Sequence, residues 1–131
     1  MATRTPIQLA GKIPLPLWAP DRKDVIWIDF SPHAGKEMSD EHPMLVLSTK
    51  AFNEKTGIVI GLAMTHSEMN EDNPFAVEFN GPKGEVCYVL CHQPKSFDWR
   101  ERPARPHPMK QVTPEVFKAS CELLNQVIAI C

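Results

Sequence analysis

The chain has 131 residues, of which 43% are hydrophobic, and this length and composition fit one domain with a single modest core. Its formal net charge of -2 excludes a broad basic surface that binds nucleic acid by charge alone, so any RNA contact must be local. No apolar run approaches the roughly 18 residues that cross a bilayer, and we therefore expect a soluble, cytoplasmic protein with no membrane partner.

The first part of the chain is predicted to be an extended arm. Residues 1–22 carry four prolines and show no clear hydrophobic period. Residues 23–131 are predicted to form the single folded domain. Within it, residues 25–30 are rich in β-branched and aromatic side chains and predict the first strand. Residues 31–42 are then expected to form a long, mobile connection.

Two continuous apolar runs predict the next two strands, at residues 44–47 and 58–63. Residues 53–57 between them are typical of a turn, so we expect the two strands to be adjacent, antiparallel and central in the sheet. Residues 66–74 form a polar loop, whose acidic side chains are expected to point away from any bound phosphate.

A β-hairpin is predicted next. Residues 75–79 alternate with period two, residues 80–84 are dense in turn formers, and residues 85–90 again have the character of a strand. His92 comes just after this fifth predicted strand.

The C-terminal part of the chain differs in kind. Residues 100–108 hold three prolines and are expected to be irregular. An amphipathic helix is predicted over residues 113–130, with Thr113 as its N-cap and Pro114 at its first position. Several short strands without intervening helices predict a mainly β fold, a small antiparallel barrel with one C-terminal helix, rather than a parallel α/β sheet.

Three of the five histidines fall at predicted strand ends, and these are His42, His66 and His92. Strand ends on one side of a barrel tend to meet, and two imidazoles facing a phosphodiester can divide the roles of general base and general acid near neutral pH. The base takes the proton of the ribose 2′-hydroxyl and the acid protonates the departing 5′-oxygen, so neither a metal nor another cofactor is required. Each histidine taken singly is more often a surface or hydrogen-bonded residue.

Hydroxyl and lysine side chains near these positions offer phosphate contacts. Thr65 and Ser67 can donate hydrogen bonds to phosphate oxygens, and Lys36 and Lys95 can offset the charge that grows in a transition state. Thr65 is equally consistent with a strand-end residue that bonds its own backbone, and both lysines with ordinary loop charges. No ligand pair has the spacing of a zinc site, so no metal site is predicted.

Aromatic side chains offer a further possible contact, because bases of single-stranded RNA stack on such rings. Trp27 lies between Ile26 and Ile28 and is equally consistent with a core position. Trp99, beside Arg100, is the better candidate for a contact at the rim of a site.

The order of these motifs resembles the MazF/PemK family of toxin ribonucleases, over roughly residues 22–130. The matching segments are the strand that bears Trp27, Pro32-His-Ala-Gly-Lys-Glu37, His42-Pro-Met-Leu-Val-Leu-Ser48, Lys55-Thr-Gly57, Thr65, Asn73-Pro-Phe75, His92-Gln-Pro-Lys-Ser96 and Trp99-Arg100. The resemblance implies an SH3-like barrel with a C-terminal helix. It also adds Glu37, Gln93 and Arg100 to the candidate RNA contacts.

The resemblance further implies an activity and partners. The implied protein is an mRNA interferase of a type II toxin–antitoxin system, which cleaves single-stranded RNA without a metal and leaves a 2′,3′-cyclic phosphate and a 5′-hydroxyl. Such proteins are typically homodimers. They are silenced by an antitoxin whose disordered, acidic tail occupies the RNA groove.

The sequence departs from the family pattern at positions that the resemblance assigns to catalysis. His42 stands at the position of the family arginine, His92 at that of the usual aspartate, and Leu90 where some members have a catalytic arginine. Loss of a bidentate phosphate clamp costs on the order of 10²-fold in rate. Paired histidines offer a different way to preserve acid–base cleavage.

We favour an active endoribonuclease in which Thr65 and Lys95 hold phosphate while His42 and His92 exchange protons, with His66 as the alternate. The sequence leaves open which histidine is the acid. Two alternatives also remain, a catalytically weakened member that binds RNA or antitoxin without cleaving, and a small barrel that only mediates protein contacts.

Overall fold

In the computed structural model, which describes residues 18–129, six antiparallel strands curl into a half-barrel and a long helix follows them. The strands are β1 (Asp24–Asp29), β2 (Glu41–Val46), β3 (Ile58–Thr65), β4 (Ala76–Asn80), β5 (Val86–Asp98) and β6 (Arg105–Gln111); the helices are α1 (Lys50–Thr56) and α2 (Pro114–Ile128), and Glu68–Asn70 form a 3-10 turn. Their order in the sheet is β4-β5-β3-β2-β1-β6. The mainly β fold, the C-terminal helix and the central pairing of β2 with β3 are confirmed.

The sheet separates two hydrophobic cores, because successive side chains of a strand point to opposite faces. Ile26, Ile28 and Met44 belong to the first core. The second core lies under α2, where Val25 packs in the same cluster as Phe117 of the helix. Burying each such side chain contributes roughly 1.5–3 kcal/mol, which fixes the register of every strand.

The predicted turn at residues 53–57 is wrong, because these residues form the second half of α1 and its C-cap. Thr49 caps the start of this helix by accepting the Phe52 N–H at 3.4 Å. Gly57, with φ 75°, ends it in the left-handed conformation that glycine adopts without strain. A helix of seven residues is too short to show a hydrophobic period. Its C-terminal glycine, Gly57, is a turn former, and the sequence therefore indicated a turn instead of a helix.

The strand β5 extends further than predicted. Its first half pairs with β4, which confirms the hairpin, and its second half continues along β3 to Asp98. His92 therefore lies inside β5, where the pairing register with β3 shifts between Leu62 and Ala63, and not at a strand end.

Residues 105–111, which overlap the segment expected to be irregular, form the edge strand β6 beside β1. Pro106 is accommodated there because an edge strand has one side with no partner that requires its N–H. Residues 31–40, expected to be mobile, are instead tied to the sheet by hydrogen bonds. The Met38 N–H donates to Gln93 Oε1 at 2.9 Å, and the Phe30 N–H donates to the Asp40 carbonyl at 2.8 Å.

Most of the predicted N-terminal arm, residues 1–17, lies outside the described residues. The described end of the arm packs on the domain, since Ala19 is buried and the Trp18 ring meets Trp99 edge-on at 5.7 Å. At the other end of the chain Thr113 caps α2 by accepting the Val116 N–H at 3.2 Å. Within residues 18–129, no helix is long and apolar enough to cross a membrane.

Candidate functional site

The ends of β2 and β3 bring His42, Thr65 and His66 together, and with Ser67 we call them the histidine edge. Met44 pairs with Ala63, so continuing this antiparallel register by two residues places His42 opposite Thr65, on the same face of the sheet. His66 follows Thr65 directly in the chain, and its charge is the smallest of the causes that act on the pKa of His42. Two of the three predicted histidines therefore share one edge.

His42 is half-buried, and its environment favours the neutral ring. Burial is the main cause that lowers the pKa of this imidazole below its ordinary value, with the charge of His66 acting in the same direction and that of Asp40 opposing it. A neutral imidazole near pH 7 is a proton acceptor. The position therefore suits a general base.

Thr65 bonds the backbone that follows it, one of the two roles that its sequence position allowed. Its side chain is 7% exposed, and its Oγ1 accepts the Ser67 N–H at 3.1 Å, so the hydroxyl shapes the turn that follows β3. The hydroxyl proton remains available to a further acceptor, because a hydroxyl donates once while it accepts. A phosphate oxygen is such an acceptor.

His66 is exposed and oriented by a backbone bond. Its Nδ1 lies 2.9 Å from the Val86 carbonyl oxygen, and since a carbonyl only accepts, Nδ1 must donate. The Cys87 Sγ lies 3.6 Å from the same nitrogen. Nε2 is then the ring nitrogen that can exchange a proton with a substrate.

The second group of predicted residues lies around residues 31–40, which with Gln93 and Lys95 of β5 we call the anchored loop. Lys95 Nζ and Glu37 Oε2 are 3.2 Å apart, and Glu37 Oε1 accepts the Ala34 N–H at 2.9 Å. The Ala34 bond first, and Lys95 second, lower the pKa of Glu37. Gln93 holds the Met38 N–H, whereas Lys36 is exposed. Several residues that match the family motifs therefore form hydrogen bonds or ion pairs within this loop and with β5.

His92 lies away from the histidine edge. The β5 residue paired with Thr65 is Tyr88, and His92 follows it by four residues, on the order of 10 Å along the strand. Its exposed ring lies at an angle of 37° to that of Phe75, with 5.9 Å between the ring centroids. The expected meeting of His42 with His92 rested on a strand end at residue 90, whereas β5 continues through that point.

Trp99 and Arg100 were expected at the rim of an RNA site, but in the structure both bond to α1. Trp99 is 5% exposed and its Nε1 donates to the Asn53 carbonyl at 2.8 Å. Arg100 lies over the Trp99 ring at 4.7 Å and donates to the Glu54 carbonyl at 2.9 Å. The pair ties the end of β5 to α1.

Trp27 lies on the inner strand β1 and is half-buried. Trp27 stacks on His107 at 4.6 Å between ring centroids, with the Arg105 guanidinium 5.4 Å from the centre of its ring. Arg105 also makes a two-point ion pair with Glu41, at 2.9 and 3.2 Å. Sequence reasoning did not single out His107, which only strand pairing places beside Trp27.

A cavity of about 440 Å³ opens beside the histidine edge, and we call it the glutamate pocket. It is lined by His66, Glu68, Glu71, Glu78, Glu85, Val86 and Tyr88. The acidic side chains after Thr65 were expected to point away from the site, yet Glu68 and Glu71 share this cavity with His66. No sequence signal joins these glutamates, because β-pairing and the 3-10 turn bring them together.

A second cavity, of about 530 Å³, is lined by Asp29, Ser31, Asp40, Glu41, Glu101, Arg102 and Pro103. Arg102 is bound to the backbone at this cavity, since its Nη1 donates to the carbonyls of Asp29 and Ser31 at 2.6 Å. Carboxylates therefore line the cavity that contains His66 and also the one lined by Asp40 and Glu41, which precede His42 in the chain.

Comparison with known proteins gives one consistent result. Residues 21–128 match the model of the PemK-like, MazF-like toxin of type II toxin–antitoxin systems. The endoribonuclease toxin MazF of Escherichia coli K12 is 36% identical over 87 residues, which cover 66% of this chain and 76% of that protein. MazF from Deinococcus radiodurans superposes with a TM-score of 0.77 at 28% identity, covering 86% of this chain and 99% of that one. A MazE–MazF structure from the same organism gives 0.72 at 27% identity, with 87% and 100% covered.

Proposed function

The chain belongs to the PemK-like, MazF-like family of type II toxins, and we propose that it is an endoribonuclease that cleaves single-stranded RNA at the histidine edge without a metal ion. The relatives named MazF supply the reaction class. The position of His42 opposite Thr65, with His66 beside them, is the observation that carries the proposal for this chain.

The proposed reaction needs only proton transfer and a hydrogen-bonded phosphate. His42 takes the proton of the ribose 2′-hydroxyl, and the 2′-oxygen attacks the adjacent phosphorus while Thr65 donates a hydrogen bond to a phosphate oxygen. The bond from phosphorus to the 5′-oxygen breaks, and protonated His66 gives its Nε2 proton to that oxygen. The products are a 2′,3′-cyclic phosphate and a 5′-hydroxyl.

His66 replaces His92 as the preferred acid in this scheme, because His66 directly follows Thr65, which the strand register places opposite His42, whereas His92 lies further along β5. His92 remains the alternative acid. A bound RNA strand extends over several nucleotides, so the exposed ring of His92 can contact a different nucleotide from the one at His42. Comparing His66→Ala with His92→Ala separates the two assignments.

The anchored loop is proposed to guide the RNA beside the site. Lys36 is exposed and Lys95 is partly neutralised by Glu37, so each supplies a modest local attraction for phosphate. Gln93 fixes the loop through Met38, and Ser67 donates its backbone N–H to Thr65 Oγ1. Trp99 and Arg100 act in this proposal by supporting α1 and β5.

We also propose a cognate antitoxin, a homodimeric assembly and a cytoplasmic location. A MazE–MazF complex exists for a structural relative, and the exposed lysine of the anchored loop suits an acidic tail. Val127 and Ile128 of α2 are 43% and 46% exposed, an apolar end that a second copy would cover.

A catalytically weakened toxin, which binds RNA or antitoxin without cleaving, is the second candidate. Two observations favour it: histidine occupies the position of the family arginine, and carboxylates line both cavities beside the site. Such a protein would bind RNA and leave it intact at every pH.

A cleavage assay on a long single-stranded RNA with EDTA present decides between the two. We expect cuts whose products carry a cyclic phosphate, and a loss of about 10²-fold or more for His42→Gln. Glu122→Gln, on the exposed side of α2 and away from both the histidine edge and the anchored loop, is the control and should cleave like the wild type. Intact RNA between about pH 5 and about pH 9 would refute the nuclease and leave the binding protein.

A further inference from the structure

One pair of residues, Ser31 and Asp40, closes the loop that joins β1 to β2. The Ser31 hydroxyl accepts the Asp40 N–H at 3.0 Å and donates to Asp40 Oδ1 at 3.2 Å. The Phe30 N–H adds a third bond, to the Asp40 carbonyl at 2.8 Å. The backbone and the side chain of Asp40 are therefore both held, two residues before His42.

The backbone of Asp40 lies in the left-handed region, with φ 62°. This region is unfavourable for most residues that carry a Cβ, and aspartate and asparagine are among the few that adopt it repeatedly. The conformation turns the chain from the loop into β2, where His42 pairs with Ile28 of β1. The turn at Asp40 thus fixes where β2 begins, and the strand register then places His42 opposite Thr65.

The carboxylate of Asp40 also acts on the His42 ring through its charge. Burial is the main cause that lowers the pKa of His42, the Asp40 carboxylate raises that pKa, and His66 lowers it. A negative charge in the surroundings of an imidazole stabilises its protonated form, so Asp40 offsets part of the effect of burial. The next carboxylate in the chain, Glu41, instead forms an ion pair with Arg105 at 2.9 Å.

We propose that Asp40 is a positioning residue of the histidine edge: its left-handed backbone and its bonds with Ser31 hold His42 at the start of β2, and its carboxylate supplies the negative charge that His42 meets as it takes a proton. The inference rests on the proposed function, in which His42 accepts the proton of the ribose 2′-hydroxyl. Its two parts can be separated, because the bonds require oxygen atoms on both side chains whereas the electrostatic part requires a charge.

Three substitutions separate the bonds from the charge. Asp40→Asn keeps an oxygen that accepts from Ser31 and a residue that tolerates the left-handed region, and it removes the charge. Ser31→Ala removes the reciprocal bonds and keeps the charge. Glu41→Gln is the matched control, because it removes one negative charge from the residue that follows Asp40 and leaves the bonds with Ser31 in place.

The protonation of His42 is measured by nuclear magnetic resonance on the full chain with labelled histidine, and the signal missing from His42→Gln identifies this ring. We expect the pKa of His42 to fall in Asp40→Asn and to keep its wild-type value in Ser31→Ala and Glu41→Gln. The acid limb of kcat/KM for RNA should move to lower pH in Asp40→Asn alone. In Ser31→Ala the limb should stay in place while kcat/KM above it falls about tenfold, because His42 is no longer held in position.

The outcomes test each part of the proposal. An unchanged pKa of His42 in Asp40→Asn would overturn the electrostatic part, and so would equal shifts in Asp40→Asn and Glu41→Gln, since net charge alone would then explain them. Unchanged kcat/KM in Ser31→Ala would overturn the positioning part. A melting curve for each variant verifies that the fold is retained.

A wild type that leaves RNA intact would refute the proposed function and not, by itself, the role of Asp40. The ring titration would then decide whether the charge of Asp40 acts on His42. A shift of the His42 amide signal in Ser31→Ala would support the positioning part, and an amide signal at its wild-type place would overturn it.

Discussion

The anchored loop and the histidine edge are parts of the same proposed site, yet they differ in how many of their polar groups are already occupied. In the anchored loop, Glu37, Gln93 and Lys95 all bond within the protein. At the histidine edge, the Thr65 hydroxyl proton and His66 Nε2 remain available to a substrate. The comparison teaches that residues matching a family motif can hold the loop in place, so the proposed chemistry is assigned to residues whose polar atoms have no partner within the described part of the chain.

The largest expected effect comes from removing a free atom at the histidine edge. Thr65→Val keeps the shape of the side chain and removes its hydroxyl, so the phosphate contact is lost and the Ser67 N–H loses its acceptor. We expect RNA cleavage to fall by about 10²-fold. The free energy of unfolding should fall by only about 1 kcal/mol, as measured by urea denaturation.

Thr65→Ser is the matched variant, because it retains the hydroxyl. Its cleavage rate should remain within a few-fold of the wild type. Equal losses for serine and valine would show that the methyl group, and hence packing, is what the site requires.

The dependence of kcat/KM on pH gives the next largest effect. Burial lowers the pKa of His42, so the neutral base persists to a pH below the ordinary histidine value of about 6.5, and the rate should fall about tenfold per pH unit only below that lowered pKa. Replacing His42 with Gln should abolish this acid limb. An unchanged limb in the variant would assign it to another group.

The same lowered pKa has a consequence for stability. In the unfolded chain His42 titrates near its ordinary pKa, so the unfolded state binds more protons in the window between the two values. Its contribution to the free energy of unfolding is therefore fully present above the unfolded pKa and is lost as the pH falls through the folded one. Urea denaturation of wild type and His42→Gln across this window measures the difference.

An intermediate effect is expected from loosening the anchored loop. Gln93→Leu removes the acceptor of the Met38 N–H, which costs about 1–3 kcal/mol if that group stays dry. We expect a rise in KM of up to about tenfold with little change in the pH profile, because the loop positions RNA and exchanges no proton. Gln93→Glu keeps an acceptor oxygen and should behave closer to the wild type.

The sequence predicted the frame better than the site, and particular residues show why. Alternating side chains and the Thr113 cap are local signals, so most strands and α2 were predicted close to their places. The continuation of β5 past residue 90 was not predicted, because Pro94 and the polar residues around it resemble a loop. Proline is tolerated in this part of β5 because β4 no longer pairs with it there. That extension displaced His92 from the edge where it was expected.

The glutamate pocket was invisible for a different reason. Glu68, Glu78 and Glu85 belong to three successive elements of the chain, and the pairing of β4 with β5 and the fold of the preceding loop bring them to one cavity. Charge at a single position in a loop does not reveal which charges will be its neighbours. Register errors of one residue would have turned Glu78 to the opposite face.

The smallest predicted effect concerns that pocket and the RNA beside it. A carboxylate about 10 Å from a phosphate opposes binding by about 0.4 kcal/mol in a solvent-like medium, so Glu68→Gln should tighten RNA binding about twofold. The gain should appear at low salt and vanish near 1 M salt, where the screening length is about 3 Å. Fluorescence anisotropy with a short labelled RNA and a cleavage-inactive His42→Gln background measures this, and Glu122→Gln on α2 controls for net charge. Equal gains from both variants would mean that the net charge of the protein sets the RNA affinity. The position of Glu68 beside His66 would then have no effect of its own on RNA binding.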